Sequence, residues 1–158
     1  MGDFNGSGSD EEPIGEVDLA IGVPGEDVFN VVDAGVVNVV YNDWPFFGHT
    51  TPRRLQFTQP GPGAGPEPGD RYGSALSSTG GSLATVVVGA PGEDVNTTAG
   101  VIADAGAVSV LVGSPDFQGE GGGGLVSIPG LLNQNSPDVA SSAEPGDVFG
   151  DALATEGL

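Results

Sequence analysis

The sequence predicts an all-β fold built as two repeated units, with no helix. Three observations carry this. Glycine and proline are abundant, 29 and 13 of 158 residues, and they break the chain into short segments as turns do in all-β proteins. The apolar segments are short, rich in valine and bounded by Pro-Gly or Ala-Gly. Three blocks of sequence return in the same order, which is the signature of a repeat architecture.

The first block, Leu19-Ala20-Ile21-Gly22-Val23-Pro24-Gly25-Glu26-Asp27-Val28, recurs as Val86-Val87-Val88-Gly89-Ala90-Pro91-Gly92-Glu93-Asp94-Val95. The second, Asp33-Ala34-Gly35-Val36-Val37-Asn38-Val39-Val40, recurs as Asp104-Ala105-Gly106-Ala107-Val108-Ser109-Val110-Leu111. The third, Glu67-Pro68-Gly69-Asp70-Arg71-Tyr72-Gly73-Ser74-Ala75-Leu76, recurs as Glu144-Pro145-Gly146-Asp147-Val148-Phe149-Gly150-Asp151-Ala152-Leu153. The offset grows from block to block, so the extra residues lie in the connections.

Each block reads as a strand. Leu19 to Val23 and Val86 to Ala90 are apolar runs closed by Pro-Gly, suited to strands buried on both faces. Val36 to Tyr41 and Ala107 to Val112 begin after Ala-Gly. Tyr72 to Leu76 and Phe149 to Leu153 set an aromatic and a glycine before small and apolar residues. Arg54 to Thr58 and Gly124 to Ile128 supply a weaker fourth strand per unit. Two four-stranded antiparallel units of this size match propeller-type blades.

Tyr72-Gly73 and Phe149-Gly150, with Gly89-Ala90-Pro91 and its variant Gly22-Val23-Pro24, resemble the two motifs of FG-GAP repeats. Asp3-Phe4-Asn5-Gly6 resembles the opening of that family's calcium loop. The resemblance covers nearly the whole chain. It implies an integrin α-like β-propeller, placed outside the cell or on its surface, that acts in adhesion or assembly and has no catalytic function. Such repeats also accompany secreted hydrolases, so an accessory fragment of a larger enzyme is the alternative.

The resemblance also sets the phase of the chain. The first unit, 1–66, lacks its own inner strand. The second unit spans 67–143. Residues 144–158 form an inner strand with no blade behind it, which would complete a neighbouring blade. Unpaired edges of this kind seek partners. The expected partner is another copy, giving a ring or filament through Phe149, Gly150, Ala152 and Leu153, unless the chain is part of a longer propeller. Trp44 and Phe46 form an aromatic cluster that fits either a subunit contact or packing at a blade edge. A protein or glycan ligand is compatible with the family.

The resemblance implies Ca²⁺ as a cofactor. Asp3, Asn5 and Ser7 fill the first ligand places, with Gly6 and Gly8 to turn the backbone. The closing acid, Asp18, comes late. Either the intervening residues bulge out and Asp18 still closes the loop, or Asp10 or Glu12 substitutes, or the loop is a solvated acidic hairpin. The second unit has no carboxylate between Leu76 and Thr85, and no ion is assigned there.

Charge and composition narrow the partners. There are 22 acidic residues against three basic ones, Arg53, Arg54 and Arg71, for a formal charge of −19. That charge repels phosphate backbones and anionic lipid, which argues against nucleic acid as a partner. It fits cation-binding loops, a surface suited to high salt, or plain solubility. No apolar run is long enough to span a membrane. No cysteine is present, so there is no disulfide or thiolate site. His49 is the only histidine and nothing in the sequence sets it in a catalytic triad. The Arg53-Arg54 pair suits either an acidic neighbouring copy or a local salt bridge.

Overall fold

The structure, a computed structural model, describes residues 1–6, 17–42, 53–60, 65–115 and 123–156. Nine short strands and no helix are found among them. The predicted all-β class therefore holds. In the first unit, β1 (Leu19–Val23) pairs with β2 (Val36–Val40), and β3 (Arg54–Phe57) adds to the other side of β2. The second unit contains β4 (Leu76–Ser78), β5 (Val86–Ala90), β6 (Val95–Thr97), β7 (Gly100–Ile102), β8 (Ala107–Ser114) and β9 (Gly124–Ser127). Four of these make one sheet in the order β4-β5-β8-β9, and β6 and β7 form a separate hairpin. All strand-to-strand pairings among the described residues are antiparallel, and none of the three sheets closes on itself.

The repeat is a repeat of pairing as well as of sequence. Leu19 faces Val40 and Val23 faces Val36, as Val86 faces Leu111 and Ala90 faces Ala107. The turn after each apolar strand is also copied. Glu26 N–H donates to the Val23 carbonyl and Glu93 N–H to the Ala90 carbonyl, both at 3.2 Å. The larger of two apolar clusters forms between the two larger sheets, and a smaller one gathers Val28, Ala34 and Val36. Ala20, Val37, Val39, Leu55 and Phe57 of the first unit meet Val86, Val88, Ala90 and Leu111 of the second, with Phe4 and Tyr72 among them. Val36 and Val37 are adjacent, point to opposite faces of β2 and are both buried, which suits the paired valines at the start of that strand.

The third block departs from expectation. Tyr72 to Leu76 and Phe149 to Leu153 were expected as strands. Only Leu76 lies in one, because both segments turn where they were expected to extend. Arg71 and Val148 adopt positive φ of 57° and 49°, and Gly73 and Gly150 follow at 91° and 90°. Ser74 N–H then closes onto the Arg71 carbonyl, and Asp151 N–H onto the Val148 carbonyl, both at 3.0 Å. We call residues 67–75 and 144–152 the two turn arms. Each arm docks on the preceding unit through its aromatic residue. Tyr72 N–H donates to Ala34 O and Phe149 N–H to Ala105 O, both at 2.9 Å. Beyond the first arm, β4 is a strand because β5 pairs with it. Residues 153–156, the counterpart of β4, form no strand. A strand exists through its ladder, and the counterpart of β5 available to them would have to be another β1.

The β6–β7 hairpin was not expected. Val95–Thr97 pairs with Gly100–Ile102, and Val95 is buried.

Candidate functional site

Two places concentrate buried polar groups: the loop at the N-terminus and the joint between the units. In the N-terminal loop, Asp18 is wholly buried and both its oxygens hold backbone amides. Oδ2 accepts from Phe4 N–H at 2.8 Å and Oδ1 from Asn42 N–H at 2.9 Å. Asp3 Oδ1 accepts from Gly6 N–H at 2.7 Å, and the Asp3 carbonyl accepts from Ala84 N–H at 2.8 Å. Asn5 is buried beside them. The loop therefore pins the first residues across both sheets. Among the described residues, no three acidic or histidine side chains come together to hold a metal. A calcium cage needs six to eight oxygens, so the described residues do not fit the ion on their own. Ser7, Asp10 and Glu12, the other candidates, lie outside the described residues.

The joint is where the first arm, residues 67–75, is sandwiched between the first unit and β5 with the turn that follows it. Gly73 N–H donates to Gly89 O at 2.9 Å and Gly92 N–H to Asp70 O at 3.2 Å. Gly92 is needed for close approach, since any β-carbon there would overlap the Gly69 carbonyl. The Tyr72 hydroxyl shares a hydrogen bond with Ser109 Oγ at 2.8 Å in full burial. Burial pushes the Tyr72 phenol up to about 12, with the Ser109 bond pulling the other way. At the rim, Gln59 Nε2 donates to Glu93 Oε2, and Asp70 lies close by. All three are at most 4% exposed. Burial raises Glu93 to about 7 and Asp70 to about 6.

Both outer faces of the molecule carry counterparts of this joint, uncovered. On the leading face, that of the first unit, Leu19 and Ile21 are 43% and 42% exposed, whereas their counterparts Val86 and Val88 are sealed in the joint. Gly25 repeats Gly92, yet among the described residues no backbone approaches it; its nearest neighbour there is Asp33 Oδ1 at 3.6 Å from an added β-carbon. Glu26, the counterpart of Glu93, is exposed. On the trailing face, that of the second unit, Val108 and Leu132 exchange backbone hydrogen bonds at 2.8 Å, as Val37 pairs with Phe57. This pairing makes Ile128 and Leu132 the counterparts of Leu55 and Phe57, and Gln134 that of Gln59. Ile128 and Leu132 are 44% and 49% exposed and line a shallow apolar pocket with Val108 and Val110.

The expected interface residues fall into two groups. Phe149, Gly150, Ala152 and Leu153 gather on the trailing face, and Phe149 is half-buried where Tyr72 is sealed. Trp44 and Phe46 lie outside the described residues, as does His49. Arg53 works inside the chain: its guanidinium stands 4.3 Å from the centre of the Tyr41 ring and donates to the Gly123 carbonyl. The sequence reading missed Gln59, Asp70 and Gln134. The signal was present in Phe57-Thr58-Gln59 and Leu132-Asn133-Gln134, each preceding a Glu-Pro-Gly-Asp arm. Two extra residues around Pro129 and Gly130 hid it, because they shift the spacing between β8 and its partner. Comparison with known proteins finds no family model, no curated protein and no solved structure that matches this chain.

Proposed function

We propose that the chain is a non-catalytic stacking module of the FG-GAP kind, whose two blade-like units join head to tail with those of further copies. One observation carries this reading: the surfaces that meet in the internal joint both recur, uncovered, on the outer faces. Leu19, Ile21, Gly25 and Glu26 on one side complement Ile128, Leu132, Gly146 and Phe149 on the other, by the rule that the internal joint follows. The contact is heterologous, so it closes into a ring or extends as a filament according to the rotation per joint. In it, Gly150 N–H meets the Gly22 carbonyl, and Leu153 to Thr155 add to the edge of β1 as β4 adds to β5. Main-chain bonds then supply affinity and the apolar side chains fix register.

The test is the mass in solution of the wild type and of Gly25→Val. A valine at Gly25 meets only the Asp33 side chain among the described residues of its own chain but would strike the neighbour's Gly146 carbonyl, as one at Gly92 would strike Gly69. The wild type is expected to exceed monomer mass in a concentration-dependent way, and Gly25→Val to remain a folded monomer. A wild type that stays monomeric at every accessible concentration overturns the reading.

A further inference from the structure

The polar bridge of the internal joint has its parts waiting, separated, on the two outer faces. Within the joint the bridge consists of Gln59, Glu93 and Asp70. Each part has a counterpart built the same way. Asp70 Oδ2 accepts from Glu67 N–H at 2.5 Å, and Asp147 Oδ2 from Glu144 N–H at 2.8 Å. Gly69 N–H reaches back to Val32 O and Gly146 N–H to Ala103 O, both at 3.0 Å, so the two arms leave their units alike. Gln134 stands where Gln59 stands, and its Oε1 is buried with no hydrogen-bond partner among the described residues. Glu26 stands where Glu93 stands, with its side chain in water.

We infer that, when two copies stack, Gln134 of one bridges to Glu26 of the other beside Asp147, and that closing this bridge takes up protons. The inference rests on the stacking proposed above. The internal joint shows the cost of the arrangement: two carboxyl groups are buried together with one carboxamide between them, and no cation lies in that set. Burial raises both acids, like charge from Glu67 and Asp94 adds to this, and the Gln59 bond opposes it. The intermolecular bridge faces the same company. Glu144 and Asp27 are the counterparts of Glu67 and Asp94, and Asp33 lies beside Gly25. Arg54 shares the Leu19 and Val40 face by register and is the basic residue on that side. A group whose pKa rises on burial binds protons as the contact forms, so acid favours association.

The experiment is sedimentation equilibrium of the wild type, Glu26→Gln and Gln134→Leu between about pH 5 and about pH 8. It is run in about 0.5 M sodium chloride, so that distant charges are screened. The wild-type association constant is expected to fall with rising pH with a slope of roughly one to two protons per contact. Glu26→Gln is expected to associate about tenfold more tightly at the alkaline end and to lose about one proton of slope. Gln134→Leu is expected to weaken association at every pH. Association that ignores pH and both substitutions overturns the bridge and leaves stacking intact. No association of the wild type at any pH overturns both.

Discussion

Asp18 shows how a single carboxylate can brace a fold. It is one of the candidate ligands that the sequence offered for an ion, and its two oxygens tie the N-terminal segment and the end of β2 to the start of β1. Asp18→Ala strands two backbone amides and is expected to lower stability by about 2–4 kcal/mol, read from urea unfolding. Asp18→Asn keeps one acceptor and is expected to lose less. Glu93 and Asp70 act in the opposite sense. Their pKa values, about 7 and about 6, are raised in the fold. The folded state thus keeps protons that the unfolded chain has already released. Their contribution is most favourable below the ordinary carboxylate range and is lost as pH rises through about 7. The melting temperature is therefore expected to be higher at about pH 5 than at about pH 8. Glu93→Gln is expected to narrow that gap and to raise the melting temperature at the alkaline end by about 2–6 °C.

At the level of elements, the strands of the two larger sheets were largely legible, whereas the arms and the β6–β7 hairpin were not. The apolar runs Leu19–Val23 and Val86–Ala90 appear as β1 and β5 with the expected bounds, because short valine-rich runs closed by Pro-Gly have few other options. The arms combine an aromatic with glycine and so resemble strands by composition. Their shape depends on left-handed backbone at Arg71 and Val148, and a β-branched valine in that region runs against local preference. Docking on the preceding unit imposes it, and propensity does not register docking. The joint's polar bridge escaped for a related reason: Gln59 carries no charge and meets Glu93 only after folding. The arms also separate two roles of glycine. At Gly69 a β-carbon meets nothing, whereas at Gly73 it would strike the Val36 carbonyl. Gly69→Ala is expected to cost about 1 kcal/mol from its positive φ alone. Gly73→Ala is expected to cost about 2–3 kcal/mol in the same denaturation assay.

For the molecule as a whole, charge and exposure act together. A formal charge of −19 with three cations leaves the chain repelling itself. Added sodium chloride is expected to raise the melting temperature, most steeply at low ionic strength, and a flat profile would show that the acids are already balanced locally. The two units share the larger apolar cluster, while the outer faces expose Leu19, Ile21, Ile128 and Leu132.

The open turn at Gly25 has a consequence for populations of the chain. Under the stacking proposed above, a copy carrying Gly25→Val would keep its trailing face and lose only its leading one, so it would terminate an assembly without being able to prolong it from that side. Mixed into wild type, it behaves as a monofunctional stopper does in step-growth polymerisation. Mean length should fall with its mole fraction, and a closed ring should be poisoned by a single incorporated copy. The shape of that titration separates rings from filaments without an image of either.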